Sequence, residues 1–266
     1  MGTAAARVDR VARRPLRSRL LVLTRKACAM IRHFGVLIPS TNTTCEIEFT
    51  RLLPSEYQAH FGRLLSSRPG QTFSPSRDED IEYQSRLLGT AKVGIVILAQ
   101  TSASLFADDY DAVTTQRMAA AAGCPAVTSA QAVGRAVRAL GARRIGLVSP
   151  YSDAVNTRAA QYFARMHGLD TVAREGFGAT DSYAIGALGP ENARDAFARI
   201  DRPEIEVLVV PGGNFPTMPS IASWEAEFGK PIVTTNQASV WAMLRHFAAG
   251  DRLSGFGRLL AEVPAG

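Results

Sequence analysis

The 266-residue chain has only three cysteines and four histidines, and it contains no run of about 18 consecutive apolar residues. Each scarcity excludes something. Cys28, Cys45 and Cys124 are too few and too scattered for a disulfide framework, and no Cys or His pair has metal-ligand spacing. The sequence therefore predicts a metal-free protein of a reducing compartment, the cytoplasm. The longest strongly apolar stretches, Val93–Leu98 and Val207–Val210, have the length of buried strands, which argues against a membrane span.

Surplus charge is also missing from the body of the chain. The formal net charge is +6, but Arg7, Arg10, Arg13, Arg14, Arg17, Arg19, Arg25 and Lys26 stand against Asp9 alone in residues 1–29. Those residues carry +7 of the total, which leaves −1 for residues 30–266. The overall charge thus gives no support for nucleic-acid binding by the folded body. Residues 1–31 read as a disordered basic leader: Leu20–Leu23 is too short for a secretory core, and Lys26 follows soon after. Either translation starts at Met30, just before the first strand, or the leader is an Arg-rich targeting or binding arm.

What the chain does have is an ordinary apolar supply, 46% of its residues, and an internal repeat. Ile31-Arg-His-Phe-Gly-Val-Leu-Ile-Pro-Ser40 matches Ala142-Arg-Arg-Ile-Gly-Leu-Val-Ser-Pro-Tyr151 at an offset of 111. Val96-Ile-Leu-Ala-Gln-Thr-Ser102 matches Leu208-Val-Val-Pro-Gly-Gly-Asn214 at 112, and Cys124-Pro-Ala-Val-Thr-Ser-Ala-Gln-Ala132 matches Lys230-Pro-Ile-Val-Thr-Thr-Asn-Gln-Ala238 at 106. Strands apolar throughout, separated by helical stretches, predict an α/β fold of two pseudo-twofold-related halves, each a short parallel sheet flanked by helices. The halves are expected at 32–122 plus 232–262, and at 123–231.

Ligands of such folds sit beyond the carboxyl ends of the strands, where loop amides and helix N-termini converge. Those ends are Pro39–Asn42, Gln100–Ser102, Pro150–Asp153 and Pro211–Asn214. They offer hydroxyls (Ser40, Thr41, Thr101, Ser102, Tyr151), amides (Asn42, Gln100, Asn214) and the backbone N–H groups of Gly212 and Gly213, a donor set suited to a small carboxylate. Taken singly, each Ser, Thr or Asn can equally cap a helix. The four histidines, His33, His60, His167 and His246, fall away from these loops. Glu46 and Glu48 point to different faces of one helix and make no acid–base pair.

At these loops the sequence resembles the aspartate/glutamate racemase superfamily, in the branch of maleate cis–trans isomerase and arylmalonate decarboxylase. The carrying segments are Gly35-Val-Leu-Ile-Pro-Ser-Thr-Asn-Thr-Thr-Cys-Glu46, Gln100-Thr-Ser-Ala-Ser104, Gly141–Asp153 and Gly229–Ala238, within a likeness over roughly residues 32–262. The resemblance implies a cofactor-free isomerase or lyase, a homodimer, and one or two catalytic cysteines at strand ends. Those positions fall on Gln100 and Gly212, neither of which can do thiol chemistry. It further implies that Asn42 and Tyr151 hold a carboxylate while Thr101 and Ser102 receive the negative charge of a carbanion delocalised into it. Tyr151 is the one ionisable side chain these loops supply near a usable pKa, as a clamp or as a proton donor. Cys45, in the turn after Asn42, is either a substitute thiol or a small core residue. Glu46 matches as a structural partner of its loop. An enzyme with cysteine-free chemistry and an inactive carboxylate-binding protein are the two functions the sequence leaves open.

Overall fold

The computed structural model describes residues 30–65 and 73–263. All but the last two residues of the expected leader lie outside the described residues. The first half runs β1 (Arg32–Pro39), α1 (Cys45–Arg51), β2 (Tyr57–Leu64), α2 (Asp78–Thr90), β3 (Val96–Leu98), α3 (Tyr110–Ala122) and β4 (Ala126–Thr128), followed by α4 (Ser129–Ala139). The second runs β5 (Arg144–Ser149), α5 (Asp153–His167), β6 (Asp170–Gly176), α6 (Ser182–Gly186), α7 (Pro190–Ile200), β7 (Val207–Val210), α8 (Ile221–Phe228) and β8 (Ile232–Thr234), followed by α9 (Thr235–His246) and the short α10 (Arg258–Glu262). Tight 3-10 turns at Thr101–Leu105 and Met218–Ser220 follow β3 and β7.

The strands form two parallel four-stranded sheets of matching order, β2-β1-β3-β4 and β6-β5-β7-β8. The repeat is visible in their register: Gly35 lies opposite Val96 and Gly146 opposite Leu208. Parallel sheets need helices on both faces, and β1 shows it, with Phe34, Val36 and Ile38 entering the core shared by both sheets while Leu37 joins a separate cluster with Leu88 and Met118. The matched glycines allow close cover. A Cβ on Gly35 would stand 2.9 Å from Leu88 Cδ1, and one on Gly146 2.9 Å from Leu208 Cδ2.

The halves divide differently from the boundaries read in the sequence. Strand β4 pairs with β3 in the first sheet and β8 with β7 in the second, so 123–128 stays with the first half and 232–234 with the second. The hydrogen bond from Val96 N–H to Pro125 O begins the β3–β4 ladder and fixes this. The following helices lie between the halves: α4 and α9 pack on each other, α4 also touches β8, and α9 also touches α1. Each helix opens at a Thr. The Thr128 hydroxyl accepts from Gln131 N–H at 3.2 Å, and Thr128 and Thr234 donate their N–H groups to Gln131 and Gln237 Oε1. No helix among the described residues is long and apolar enough to cross a membrane.

One buried carboxylate joins the halves. Asp111, at 2% exposure, accepts from Thr128 Oγ1 at 2.8 Å and from the Tyr162 hydroxyl, linking α3, the end of β4 and α5. Removing it leaves the buried Thr128 hydroxyl proton without its acceptor and the Tyr162 hydroxyl with His167 Nε2 alone, at 3.4 Å. Asp111→Ala should lower unfolding free energy by about 2–4 kcal/mol in urea titrations with an unchanged slope; a loss under about 0.5 kcal/mol, the scale of a neutral surface change, would refute this role.

Candidate active site

Strands β1, β3, β5 and β7 end on one side, and the loops after them enclose a cavity of about 30 Å³. That is more than the roughly 10–15 Å³ one water requires, and tight for anything beyond a small ligand. Of the residues expected to bind ligand, Asn42, Gln100, Thr101, Ser102, Tyr151, Gly212, Gly213 and Asn214 all line it. Ser40 does not: it is exposed and outside the wall. Pro39, Phe73, Ala99, Ser182 and Ile185 complete the lining. The apolar members carry no polar motif, and only the juxtaposition of distant loops reveals them.

The three amides are engaged in holding loops. Gln100 Oε1 accepts from Ser76 N–H and its Nε2 donates to Ser74 O, both at 3.2 Å, clamping the segment that carries Phe73. Asn42 Oδ1 accepts from the N–H groups of Thr44 and Cys45 at 3.0 and 2.9 Å, capping the entry to α1. Asn214 bridges the halves: its Oδ1 accepts from Thr43 N–H and its Nδ2 donates to Ser182 O, both at 2.7 Å. The Gly212 N–H, expected to be an open donor, is already given to Thr235 Oγ1 at 2.8 Å.

The hydroxyls behave differently. Thr101 Oγ1 lies 2.9 Å from Ser129 Oγ and 3.3 Å from Thr235 Oγ1, so it is fixed from two sides. Ser102 Oγ and Tyr151 OH line the cavity without a hydrogen-bond partner among the described residues. Tyr151 is positioned by its backbone, whose N–H donates to Ser149 Oγ at 3.0 Å, and by Phe73, set edge-on at 5.2 Å between ring centroids. Burial pushes its phenol well above the ordinary range, so it is a neutral donor. Among the described residues no other lining side chain can ionise.

Behind the cavity, Glu48 secures the second half's loop. One of its oxygens accepts from the N–H groups of Thr217 and Met218, each at 2.9 Å, and the other from Asn236 Nδ2 at 2.6 Å. Burial raises its pKa and these bonds pull it back. Sequence reading missed this role, although a carboxylate two residues from Glu46 on the opposite helix face was a signal. Glu46 itself reaches its loop through Arg63, which it binds at 2.5 Å and which donates to Ser40 O and Asn42 O. None of the four histidines lines the cavity; His33 and His60 bond each other at 2.9 Å. Among the described residues no three His, Cys, Asp or Glu side chains gather to hold a metal.

Cys45 is fully buried outside the lining, its thiol donating to Gly213 O at 3.1 Å and lying 3.3 Å from Asn236 Oδ1. Burial and then the Glu48 charge push its pKa up, the reverse of what a nucleophile needs.

This architecture defines a class: α/β proteins of two matched parallel-sheet halves with a donor-lined cavity where the strand ends meet. The sequence model of the arylmalonate decarboxylase family matches residues 35–260, and the chain belongs to that family. It is 26% identical over 241 residues to a maleate isomerase from Pseudomonas putida, spanning 85% of this chain and 96% of that protein. It is 27% identical over 232 residues to the arylmalonate decarboxylase of Bordetella bronchiseptica, spanning 86% and 96%. Its fold matches the crystal structure of a cysteine-to-alanine variant of the maleate isomerase Iso from Pseudomonas putida S16 with maleate at a TM-score of 0.79 and 23% identity, over 89% of this chain and 100% of that one.

The Cys45 geometry carries a prediction. In iodoacetamide labelling at pH 8 read by peptide mass spectrometry, Cys45 should stay unmodified in the native protein and react in urea, while the partly exposed Cys124 labels first. Native labelling of Cys45 ahead of Cys124 would show a reactive thiol.

Proposed function

We propose that the chain is a cofactor-independent enzyme that acts on a small mono- or dicarboxylate through a stabilised carbanion or enediolate, without a catalytic cysteine. One observation carries the reading: among the described residues, the cavity is lined by two unpartnered neutral hydroxyls, Ser102 and Tyr151, and by no thiol, carboxylate, imidazole or amine. Fixed neutral donors in a site shielded from water stabilise developing negative charge by several kcal/mol, and they do so without reorganising. The family lends the reading its chemistry, since its members include maleate isomerases and arylmalonate decarboxylase.

The missing thiol narrows the reaction. A maleate cis–trans isomerase variant from Nocardia farcinica carries a covalently bound succinylcysteine intermediate. Isomerisation of that kind needs a thiol nucleophile, and the described lining of this cavity offers none. Decarboxylation needs less. The carbon–carbon bond to one carboxylate breaks, carbon dioxide leaves, and the electron pair passes into the remaining carboxyl group as an enediolate facing Ser102 and Tyr151. One proton on carbon then completes the product, delivered by Tyr151 or by water that Tyr151 orients.

On a panel of malonates, maleate, hydroxy acids and amino acids, a malonate-type substrate should be consumed with release of carbon dioxide. Tyr151→Phe and Ser102→Ala should each lower kcat/KM by about 100-fold, and an unimpaired Ser102→Ala variant would refute the anion-pocket role. Because burial holds the Tyr151 proton above the ordinary phenol range, kcat/KM should be flat between about pH 6 and 9 once substrate ionisation is allowed for. A basic limb near pH 8 would indicate a thiol after all.

A second reading, a carboxylate-binding protein without turnover, is favoured by Gln100, an amide locked to Ser74 and Ser76. It predicts calorimetric binding of a carboxylate that NMR then recovers unchanged.

A further inference from the structure

We propose that the opposite end of the molecule holds a second binding site, for a small organic polyphosphate such as a nucleoside triphosphate. The site is a groove of about 970 Å³ at the C-terminal turns of α4, α5 and α9. Ile95 and Pro125 in its wall precede β3 and β4, whereas the cavity lies past the strand ends.

Four arginines line the groove, Arg135, Arg138, Arg143 and Arg245, and no Asp or Glu does. None of their side chains has an ion-pair partner among the described residues, while Arg32, Arg63, Arg117, Arg144, Arg194 and Arg199 each hold a carboxylate. Cations at helix C-termini are expected, because each helix end carries about −0.5 of an elementary charge. Three such ends account for roughly −1.5, which leaves most of the four positive charges uncompensated. In a body whose net charge is near −1, this is a local concentration that the total conceals.

The geometry favours phosphate over a single carboxylate. Guanidinium forks grip phosphate oxygens in pairs, and four of them suit a ligand with several charged groups. Arg245 lies over the Trp241 ring, its central carbon 5.0 Å from the centroid, and the buried Trp241 Nε1 has no partner among the described residues. Ile95, Val127 and Met166 give the groove an apolar wall for a base or ring. The volume is that of a small-molecule site.

Calorimetry on the full chain at physiological salt tests this with ATP, inorganic tripolyphosphate and inorganic phosphate, alongside anisotropy with a DNA duplex and light scattering. The expected result is one saturable ATP site at least tenfold tighter than tripolyphosphate or phosphate. The double variant Arg138→Ala and Arg245→Ala should weaken it at least tenfold, and Tyr151→Phe should leave it unchanged. Any of four results would overturn the proposal. These are no saturable ATP binding, binding indifferent to the double variant and so belonging to the basic first 29 residues, DNA bound more tightly than ATP through the same arginines, or a double variant whose only effect is to change the oligomeric state.

Discussion

The hydroxyl of Thr101 ties together the two helices that lie between the halves. It bonds Ser129 and Thr235, the first residues of α4 and α9, which stand 106 residues apart in the repeat. One side chain at the end of β3 therefore fixes the N-termini of both helices that lie between the sheets. Their partial positive ends consequently point at the cavity from related directions. Thr235 extends the chain by accepting the Gly212 N–H, so the opposing loop takes its position from the same hydroxyl. A ligand pocket at the meeting of the strand ends follows from that arrangement.

The division of labour among the polar residues follows from burial. Loops folded over a cavity must satisfy their own N–H and C=O groups, since a buried unpaired group costs about 1–3 kcal/mol. A side-chain amide can donate and accept at once, which makes Gln100 and Asn214 effective ties between loops and removes them as free ligands. Hydroxyls on short or rigid side chains need less and remain available. Ser102 and Tyr151 are thus left facing the cavity because the amides have met the backbone's demand.

The sheets, their pairing and the location of the cleft were legible because apolar runs and Pro-marked ends recur at fixed offsets. Burial on both faces leaves strands like Val207–Val210 no other composition. The point where the chain crosses between halves was misjudged by several residues, since Pro125–Thr128 and Pro231–Thr234 read the same whether they close one sheet or open the next. Which polar atoms are engaged was also out of reach: the Asn42 oxygen is taken up as a cap, which depends on Thr44 and Cys45 presenting their N–H groups. Ser40 illustrates the limit from the other side. It follows Pro39 as Tyr151 follows Pro150, but β1 delivers it to solvent while β5 turns Tyr151 inward beneath Phe73.

The two positions that the resemblance gives to thiols are occupied in ways that exclude simple restoration. Gly212 has φ +120°, a conformation side chains rarely adopt, and a Cβ there would stand 2.9 Å from Pro150 Cγ and 3.5 Å from the Tyr151 hydroxyl. Gln100 holds Ser74 and Ser76, and through that segment Phe73, a non-glycine residue at φ +65° that covers Tyr151. A thiol at either place would disturb the orientation of Tyr151. On the proposed reading, the arrangement serves to place Tyr151 and Ser102, and the chemistry comes from where those two donors point.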